Sequence, residues 1–260
     1  MNRNKLNITK DYLKRKAKII LFTLLYYLTK KKSKGVKAVL LYHSINNQDA
    51  FLKQMIYFKR NFRFVLAKNL KEELQKSSDD ENIVCCTFDD GDLTNYDNAL
   101  PVLEKLGIKA TFFITAGLLG NYIDGPQGPR KMMNKEQVKE LFLKGHEIGA
   151  HTMTHKRLPQ ISIEEAKKEI ENSKTMLEDL IGCSVVSFAY PYGLFNKEII
   201  DKVKEAGFKY AFTTKEGLLK KAENTFLLPR IGLEEKMNPT HLRVRISYAL
   251  ELYEKLRGRR

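Results

Sequence analysis

The chain has 260 residues and a formal net charge of +15, with 46 Lys and Arg against 31 Asp and Glu. Its length suits one domain of the α/β barrel kind, which uses roughly 250 residues. The charge lies at the ends, because residues 1–37 carry +11 and residues 236–260 carry +5, which leaves residues 38–235 near −1. A basic groove in the body of the chain is therefore excluded, and we expect no nucleic-acid partner.

Residues 1–36 form a basic arm with one apolar run, Ile19–Leu28, that has lysines on both sides. A helix of that length spans roughly 15 Å, about half of a bilayer core. We expect it to lie in the interface of an anionic membrane, with Tyr26 and Tyr27 at headgroup level. The three cysteines cannot build a disulfide framework and favour a reducing compartment, so we expect a cytoplasmic protein peripheral at the membrane. Two alternatives stay open: a helix packed on the domain, and a signal or anchor segment that leaves the domain outside the cell.

From residue 37 onward, short apolar runs alternate with stretches of helical periodicity. The expected strands are 37–42, 83–88, 110–114, 146–150, 185–189 and 210–213. The expected helices are 50–62, 96–106, 135–143, 162–180 and 196–206, of which several follow a capping Asn or Ser or end at a Gly. Alternation of this kind places parallel strands side by side, so we predict a single α/β domain over 37–235, folded as a deformed (β/α) barrel.

Two segments depart from this alternation. Residues 115–133 contain several Gly and Pro and show no periodicity, so we expect a long surface loop near the site. Residues 236–260 are expected to form one basic amphipathic helix. Its apolar stripe consists of Leu242, Ile246, Ala249, Tyr253 and Leu256.

Polar side chains follow four of the expected strands directly. They are His43, the pair Asp89 and Asp90, His151, and the turn Pro191–Gly193. Parallel α/β folds build their sites at the carboxyl ends of strands, so we expect these groups to lie together. His146 lies instead at the start of its strand, and we interpret it as structural.

His151 and His155 are four residues apart, a spacing that on a helical turn places both imidazoles on one face. Two imidazoles and one carboxylate make a three-ligand site for a divalent ion, with coordination positions left for water. One aspartate of the pair at 89–90 then stays free to act as a base.

Three ordered motifs resemble the polysaccharide deacetylase (NodB-homology) superfamily over about residues 37–233. They are Thr-Phe-Asp-Asp-Gly at 87–91, His-Thr-Met-Thr-His at 151–155 and Tyr-Pro-Tyr-Gly at 190–193. The resemblance implies that Asp89 is the general base and that the backbone at Pro191–Tyr192 forms part of an oxyanion hole. It also implies a divalent metal, often zinc, held by Asp90, His151 and His155.

Two positions depart from the usual motifs of this superfamily. The arginine expected two residues before the motif proline is Ala189 here, and the late Leu-x-His that supplies the general acid is not visible. The opening Tyr-His at 42–43 resembles the branch that includes poly-N-acetylglucosamine deacetylases, in which a histidine such as His43 takes the place of the acid. Arg230 is a candidate for the missing cation beside Asp89, and an ordinary surface arginine is the alternative.

These features together predict a metal-dependent hydrolase, with zinc as the expected ion, that removes acetyl groups from N-acetylated sugars. Acetate and a free amino sugar would be the products, and an N-acetylhexosamine-containing glycan the substrate. The two altered motif positions leave one alternative from another class, an inactive carbohydrate-binding module that retains the metal.

Overall fold

The computed structural model describes residues 21, 24, 26, 27, 35–124, 128–221, 224–237 and 239–256. Most of the predicted arm, residues 1–36, therefore lies outside the described residues. Tyr26 is half-buried against the core of the domain, contrary to the expectation that it lies at headgroup level, whereas Leu24 and Tyr27 are exposed. No helix within the described ranges combines the length and the apolar content needed to cross a bilayer.

Strands and helices alternate along the described chain. The strands are β1 (Lys37–Tyr42), β2 (Arg63–Val65), β3 (Ile83–Phe88), β4 (Thr111–Ile114), β5 (Tyr122–Ile123), β6 (Arg130–Lys131), β7 (Glu147–Ala150), β8 (Ser187–Ala189), β9 (Tyr210–Phe212) and β10 (Ile231–Gly232). The helices are α1 (Gln48–Asn61), α2 (Leu70–Lys76), α3 (Leu100–Leu106), α4 (Lys135–Leu143), α5 (Ile163–Ile181), α6 (Lys197–Glu205), α7 (Pro239–Arg245) and α8 (Tyr248–Leu256).

The main sheet is parallel, with the strand order β10-β1-β3-β4-β7-β8-β9, and β2 pairs with the first half of β3. Ile231 of β10 pairs with Leu40 of β1, and Leu228 forms a parallel bridge with Phe212 of β9. The segment 228–232 thus pairs with β1 on one side of the sheet and with β9 on the other, and this double pairing curls the sheet. The predicted α/β class and the deformed barrel are confirmed.

Both faces of the central strands are buried, as parallel strands covered on two sides require. Neighbouring residues consequently enter different clusters: Leu40 packs in the larger core with the helices, and Val39 packs in a second cluster. Cys85 and Cys86 divide in the same way, and both thiols are free.

Polar caps set the helix boundaries that the sequence predicts. The Asn134 side chain accepts a hydrogen bond from the Gln137 backbone N–H, and the Gln137 side chain accepts one from the Asn134 backbone N–H, so α4 begins with a reciprocal capping pair. Helix α5 begins after Ser162, whose hydroxyl accepts from Glu165 N, and ends at Gly182 in the left-handed conformation.

The segment 115–133 is more regular than the expected loop. Strands β5 and β6 form an antiparallel hairpin within it, and Ala116–Leu118 forms a 3₁₀ turn. Its residues 125–127 lie outside the described part of the chain. Asp92 forms an antiparallel bridge with Met132, so the hairpin lies against the loop that follows β3.

The prediction of one C-terminal helix is wrong, because two short helices occupy this region. The Ser247 hydroxyl donates to Val244 O and accepts from Ala249 N, so it ends α7 and caps α8. Of the predicted stripe, Leu256 is 66% exposed, while the other four members are buried. Helix α7 contacts α1, so this region belongs to the core of the domain.

Candidate metal centre and active site

The polar residues at four strand ends line one cavity of about 180 Å³. They are His43 after β1, Asp89 and Asp90 after β3, His151 after β7 and Tyr192 after β8. The remaining lining comes from His155, Thr214 and the 115–133 segment, which contributes Ile123, Asp124 and Arg130. Parallel strands thus bring together residues as far apart in the sequence as His43 and Thr214.

Asp90, His151 and His155 present ligand atoms that all lie within 4.8 Å of one another. Asp90 Oδ1 is 3.4 Å from His151 Nε2 and 3.2 Å from His155 Nε2. His151 Nδ1 lies 2.8 Å from the carbonyl oxygen of Ala189, which acts as its hydrogen-bond acceptor. That bond places the ring proton on Nδ1 and leaves the Nε2 lone pair facing the cluster.

The cluster fits a divalent cation. Asp90 Oδ1 is buried and accepts no hydrogen bond of good geometry from the residues that the structure describes. A buried carboxylate oxygen without a donor is costly, and a cation between it and two imidazole nitrogens would remove that cost. Two nitrogens and one oxygen also suit zinc and similar divalent ions.

Backbone strain accompanies the ligands. Asp90, Thr152, His155 and Tyr192 have positive φ angles of 72°, 66°, 61° and 58°. The helical turn expected for 151–155 is therefore wrong, since two of its residues are left-handed. Non-glycine residues in this region cost about 1–3 kcal/mol each, so their concentration here is typical of a functional site.

The 115–133 segment holds both ligand-bearing loops by backbone hydrogen bonds. Thr115 N donates to Asp90 O, and Gly117 N donates to Met153 O at 2.9 Å. A Cβ at Gly117 would lie 2.7 Å from that same oxygen, so only glycine allows this approach. The positions of the three candidate ligands therefore depend on a segment that supplies none of them.

Asp89 forms a two-point ion pair with Arg230, in which Nη1 and Nη2 lie 2.7 Å from Oδ1 and Oδ2. Arg230 is fully buried, so the alternative of a surface arginine is wrong. Burial raises the pKa of the Asp89 carboxyl, but the charge and the hydrogen bonds of Arg230 outweigh burial and the pKa falls below its ordinary value. Asp89 is thus held ionised, in one orientation.

His43 and Tyr192 form part of the cavity wall. His43 is exposed to solvent there. The centroid of the Tyr192 ring lies 4.6 Å from the centroid of the His155 ring, and the Arg157 guanidinium carbon is 3.8 Å from the Tyr192 centroid.

His146, by contrast, is buried away from the cavity, and its Nδ1 accepts a hydrogen bond from Ala110 N.

Sequence reasoning missed two charged residues beside the candidate metal ligands. Arg130 Nη2 lies 2.6 Å from Asp90 Oδ2, and Arg130 Nη1 lies 3.0 Å from Asp92 Oδ2. Asp92 lies two residues after Asp90, so its closeness in the sequence could have identified it. Arg130 had no local signal, because it lies in a segment without periodicity, 40 residues after its partner.

A parallel α/β barrel with a carboxylate and two imidazoles in the loops that follow its strands has the donor set of a metal-dependent hydrolase. The sequence profile of the polysaccharide deacetylase family matches residues 76–211, and the chain belongs to this family. Its members are carbohydrate deacetylases, hydrolases that act on amide bonds. The predicted resemblance is thereby confirmed.

Three known proteins are similar to this chain over most of its length. A poly-beta-1,6-N-acetyl-D-glucosamine N-deacetylase of Staphylococcus aureus is 29% identical over 201 residues, which are 73% of this chain and 68% of the relative. The structure of the Streptococcus pyogenes deacetylase PplD in complex with acetate superposes with a TM-score of 0.73 at 25% identity, covering 83% of this chain and 100% of that one. IcaB from Ammonifex degensii shares the fold, with a TM-score of 0.71 at 24% identity, over 82% of this chain and 97% of that one.

Proposed function

We propose that this protein removes the acetyl group from N-acetylhexosamine units of a glycan, with a divalent ion, zinc, held by Asp90, His151 and His155. The observation that carries this proposal is the orphaned Asp90 Oδ1, which faces two imidazole nitrogens beside an ionised Asp89. The name of the S. aureus relative supports N-acetylglucosamine as the sugar. The cavity is smaller than the roughly 300–1,000 Å³ of pockets that enclose a whole ligand, so we propose that only the acetamide enters.

The reaction is hydrolysis of the acetamide carbon–nitrogen bond. A divalent ion bound to the three ligands would make a nearby water more acidic and polarise the acetamide carbonyl. Asp89 then accepts a proton from the attacking water, and Arg230 keeps its carboxylate ionised and aligned.

Two further groups act on the tetrahedral species that forms when water adds to the acetamide carbonyl. The backbone N–H at Tyr192 donates to the developing oxyanion, and the left-handed conformation of this residue fixes the direction of that group. His43, at the solvent-exposed wall of the cavity, protonates the sugar nitrogen as the carbon–nitrogen bond breaks. Acetate and an amino sugar leave.

The test is a mass-spectrometric screen of N-acetylated glycans for loss of an acetyl group, together with an assay of released acetate. Removal of the metal by a chelator should abolish release, and added zinc should restore it. Asp89→Asn should keep the metal and lose about 10²- to 10⁴-fold in rate, because it lacks the proton acceptor.

Near-normal turnover of Asp89→Asn would contradict the role of Asp89. The changed motif positions, Ala189 and the late Leu-x-His that is not visible here, favour the second candidate, an inactive carbohydrate-binding module that retains metal. Zinc and glycan binding by the wild type without acetate release would establish that candidate instead.

A further inference from the structure

Arg130 connects the hairpin of the 115–133 segment to the metal ligand Asp90. Its Nη2 lies 2.6 Å from Asp90 Oδ2, while the other oxygen, Oδ1, faces the two imidazoles. The side chains of Asp90 and Asp92 are each 3% exposed, and Arg130 is 27% exposed. The guanidinium therefore lies between two buried carboxylates and assigns separate tasks to the two oxygens of Asp90.

The same ion-pair group reaches the loop that begins at His43. Ser44 Oγ donates to Asp92 Oδ2 at 2.8 Å, and Arg130 Nη1 lies 3.3 Å from Ser44 Oγ. On its other side, Asp92 Oδ1 accepts from Thr94 N at 2.9 Å and from Thr94 Oγ1 at 2.6 Å. Arg130 and Asp92 thus join three loops around the cavity: the loop after β1, the loop after β3 and the hairpin.

We propose that Arg130 is a positioning residue for the metal, which reserves Asp90 Oδ1 for the ion by bridging Asp90 and Asp92. This rests on the proposed function, because it takes Asp90 as a metal ligand. Arginine suits this task, since its planar fork donates to two carboxylates at once, whereas a lysine ammonium carries the charge without that geometry.

Two opposite effects decide what loss of Arg130 would do. Its positive charge repels a nearby dication, so removing the charge alone should tighten metal binding. Removing the bridge frees the Asp90 carboxylate to turn, and loss of a hydrogen-bond partner of a ligand typically weakens metal binding about 10–100-fold. We assign the larger effect to the bridge, because Asp92 already balances much of the Arg130 charge.

The experiment measures zinc affinity of the full-length protein by competition with a chromophoric chelator, for the wild type, Arg130→Lys and Arg130→Gln. The matched control is Lys131→Gln, which removes the same charge from the exposed neighbouring position of β6. The melting temperature of each metal-free protein is measured alongside. We expect both Arg130 variants to bind zinc about 10–100-fold more weakly, with Lys131→Gln unchanged and the metal-free melting temperature of Arg130→Lys preserved.

The proposal is overturned if either Arg130 variant binds zinc as tightly as the wild type, or more tightly. Zinc affinity would then not depend on the bridge that Arg130 forms between Asp90 and Asp92. It is also overturned if Arg130→Lys loses affinity only together with a large fall in the metal-free melting temperature, which would make the residue structural. A wild type that binds no zinc would overturn the proposed metal site itself, a result distinct from wild-type affinity in the variants.

Discussion

At the scale of single residues, each buried carboxylate of the site contacts an arginine. Asp89 is paired with Arg230, and Asp90 shares Arg130 with Asp92. Removing one member of a buried pair leaves an uncompensated charge and is strongly destabilising. Asp89→Asn also leaves the Arg230 charge uncompensated, but it keeps the side-chain shape and one oxygen that accepts from Arg230, so it perturbs the site less than truncation to alanine.

His43→Ala tests the proton donor. We expect turnover to fall by about 10²- to 10⁴-fold, the usual contribution of a general acid, because the departing amine is no longer protonated. Acetate release and bound zinc are measured on the same sample, and zinc should stay at the wild-type level. A loss of zinc would make His43 a ligand instead, and full activity would assign the acid role to another group.

The burial of His146 predicts a pH dependence of the free energy of unfolding that is unrelated to catalysis. Burial lowers its pKa from an ordinary 6.5 to about 4. Between these values the unfolded chain binds a proton that the folded protein does not, so the free energy of unfolding falls as the pH falls from 6.5 to 4. The loss can reach about 3 kcal/mol.

Urea unfolding at pH 7 and at pH 4.5 measures this effect in the wild type and in His146→Gln. The other titrating groups are common to both proteins, so the difference between their pH dependences reports His146. We expect the variant to lose less stability on acidification. An equal loss in both proteins would contradict the neutral, buried state of His146.

At the scale of elements, the C-terminal helices behave as part of the core rather than as an appendage. Helix α8 offers a matched pair of leucines, since Leu250 is fully buried and Leu256 is 66% exposed. We expect Leu250→Ala to lower the free energy of unfolding by about 2–5 kcal/mol, through lost burial and a cavity. Leu256→Ala should change it by less than about 0.5 kcal/mol.

Denaturant unfolding of both leucine variants decides whether α8 is packed as the structure has it. Equal, small effects would mean that α8 does not belong to the cooperative unit. Equal, large effects would mean that Leu256 is covered as well.

At the scale of the whole molecule, the charge is concentrated at the ends of the chain, and we propose that residues 1–34 hold the protein on an anionic membrane surface. The apolar run is about half the length of a membrane span, and the lysines on both sides favour keeping both flanks on the cytoplasmic face. Leu24 and Tyr27 are exposed, while Tyr26 packs on the domain. Each basic residue near the surface contributes about 1 kcal/mol.

Flotation with vesicles tests this proposal. Full-length protein should float with anionic vesicles and not with neutral ones, and high salt should weaken the attachment. Replacing Lys30, Lys31 and Lys32 by Gln should weaken it about 100-fold, at about 1 kcal/mol per charge. A chain that starts at Lys34 should stay in solution.

Other outcomes would favour the alternatives for the arm. Resistance to carbonate extraction, or a cleaved N-terminus in the mature protein, would indicate an anchor or secretion and place the substrate outside the cell. Absence of flotation, combined with a lower melting temperature of the chain that starts at Lys34, would indicate a helix that serves only to pack on the domain.

The sequence by itself determined the elements whose signals are local. Strand β3 and helix α4 occupy the predicted residues, because an apolar run, a capping Asn134 and a glycine after the helix act within a few positions. The alternation of these elements was sufficient to predict the deformed barrel. The order of the three motifs was sufficient to predict the family.

Only the tertiary structure decided which charged side chains from distant segments form buried pairs. Arg230 lies 141 positions from Asp89, and its burial follows from the segment 228–232 that joins both ends of the sheet. Arg130 reaches Asp90 because the hairpin pairs with the loop after β3. Such contacts depend on strand order and loop path, which leave no periodicity in the sequence, so buried ion pairs across the barrel emerge only once the chain is folded.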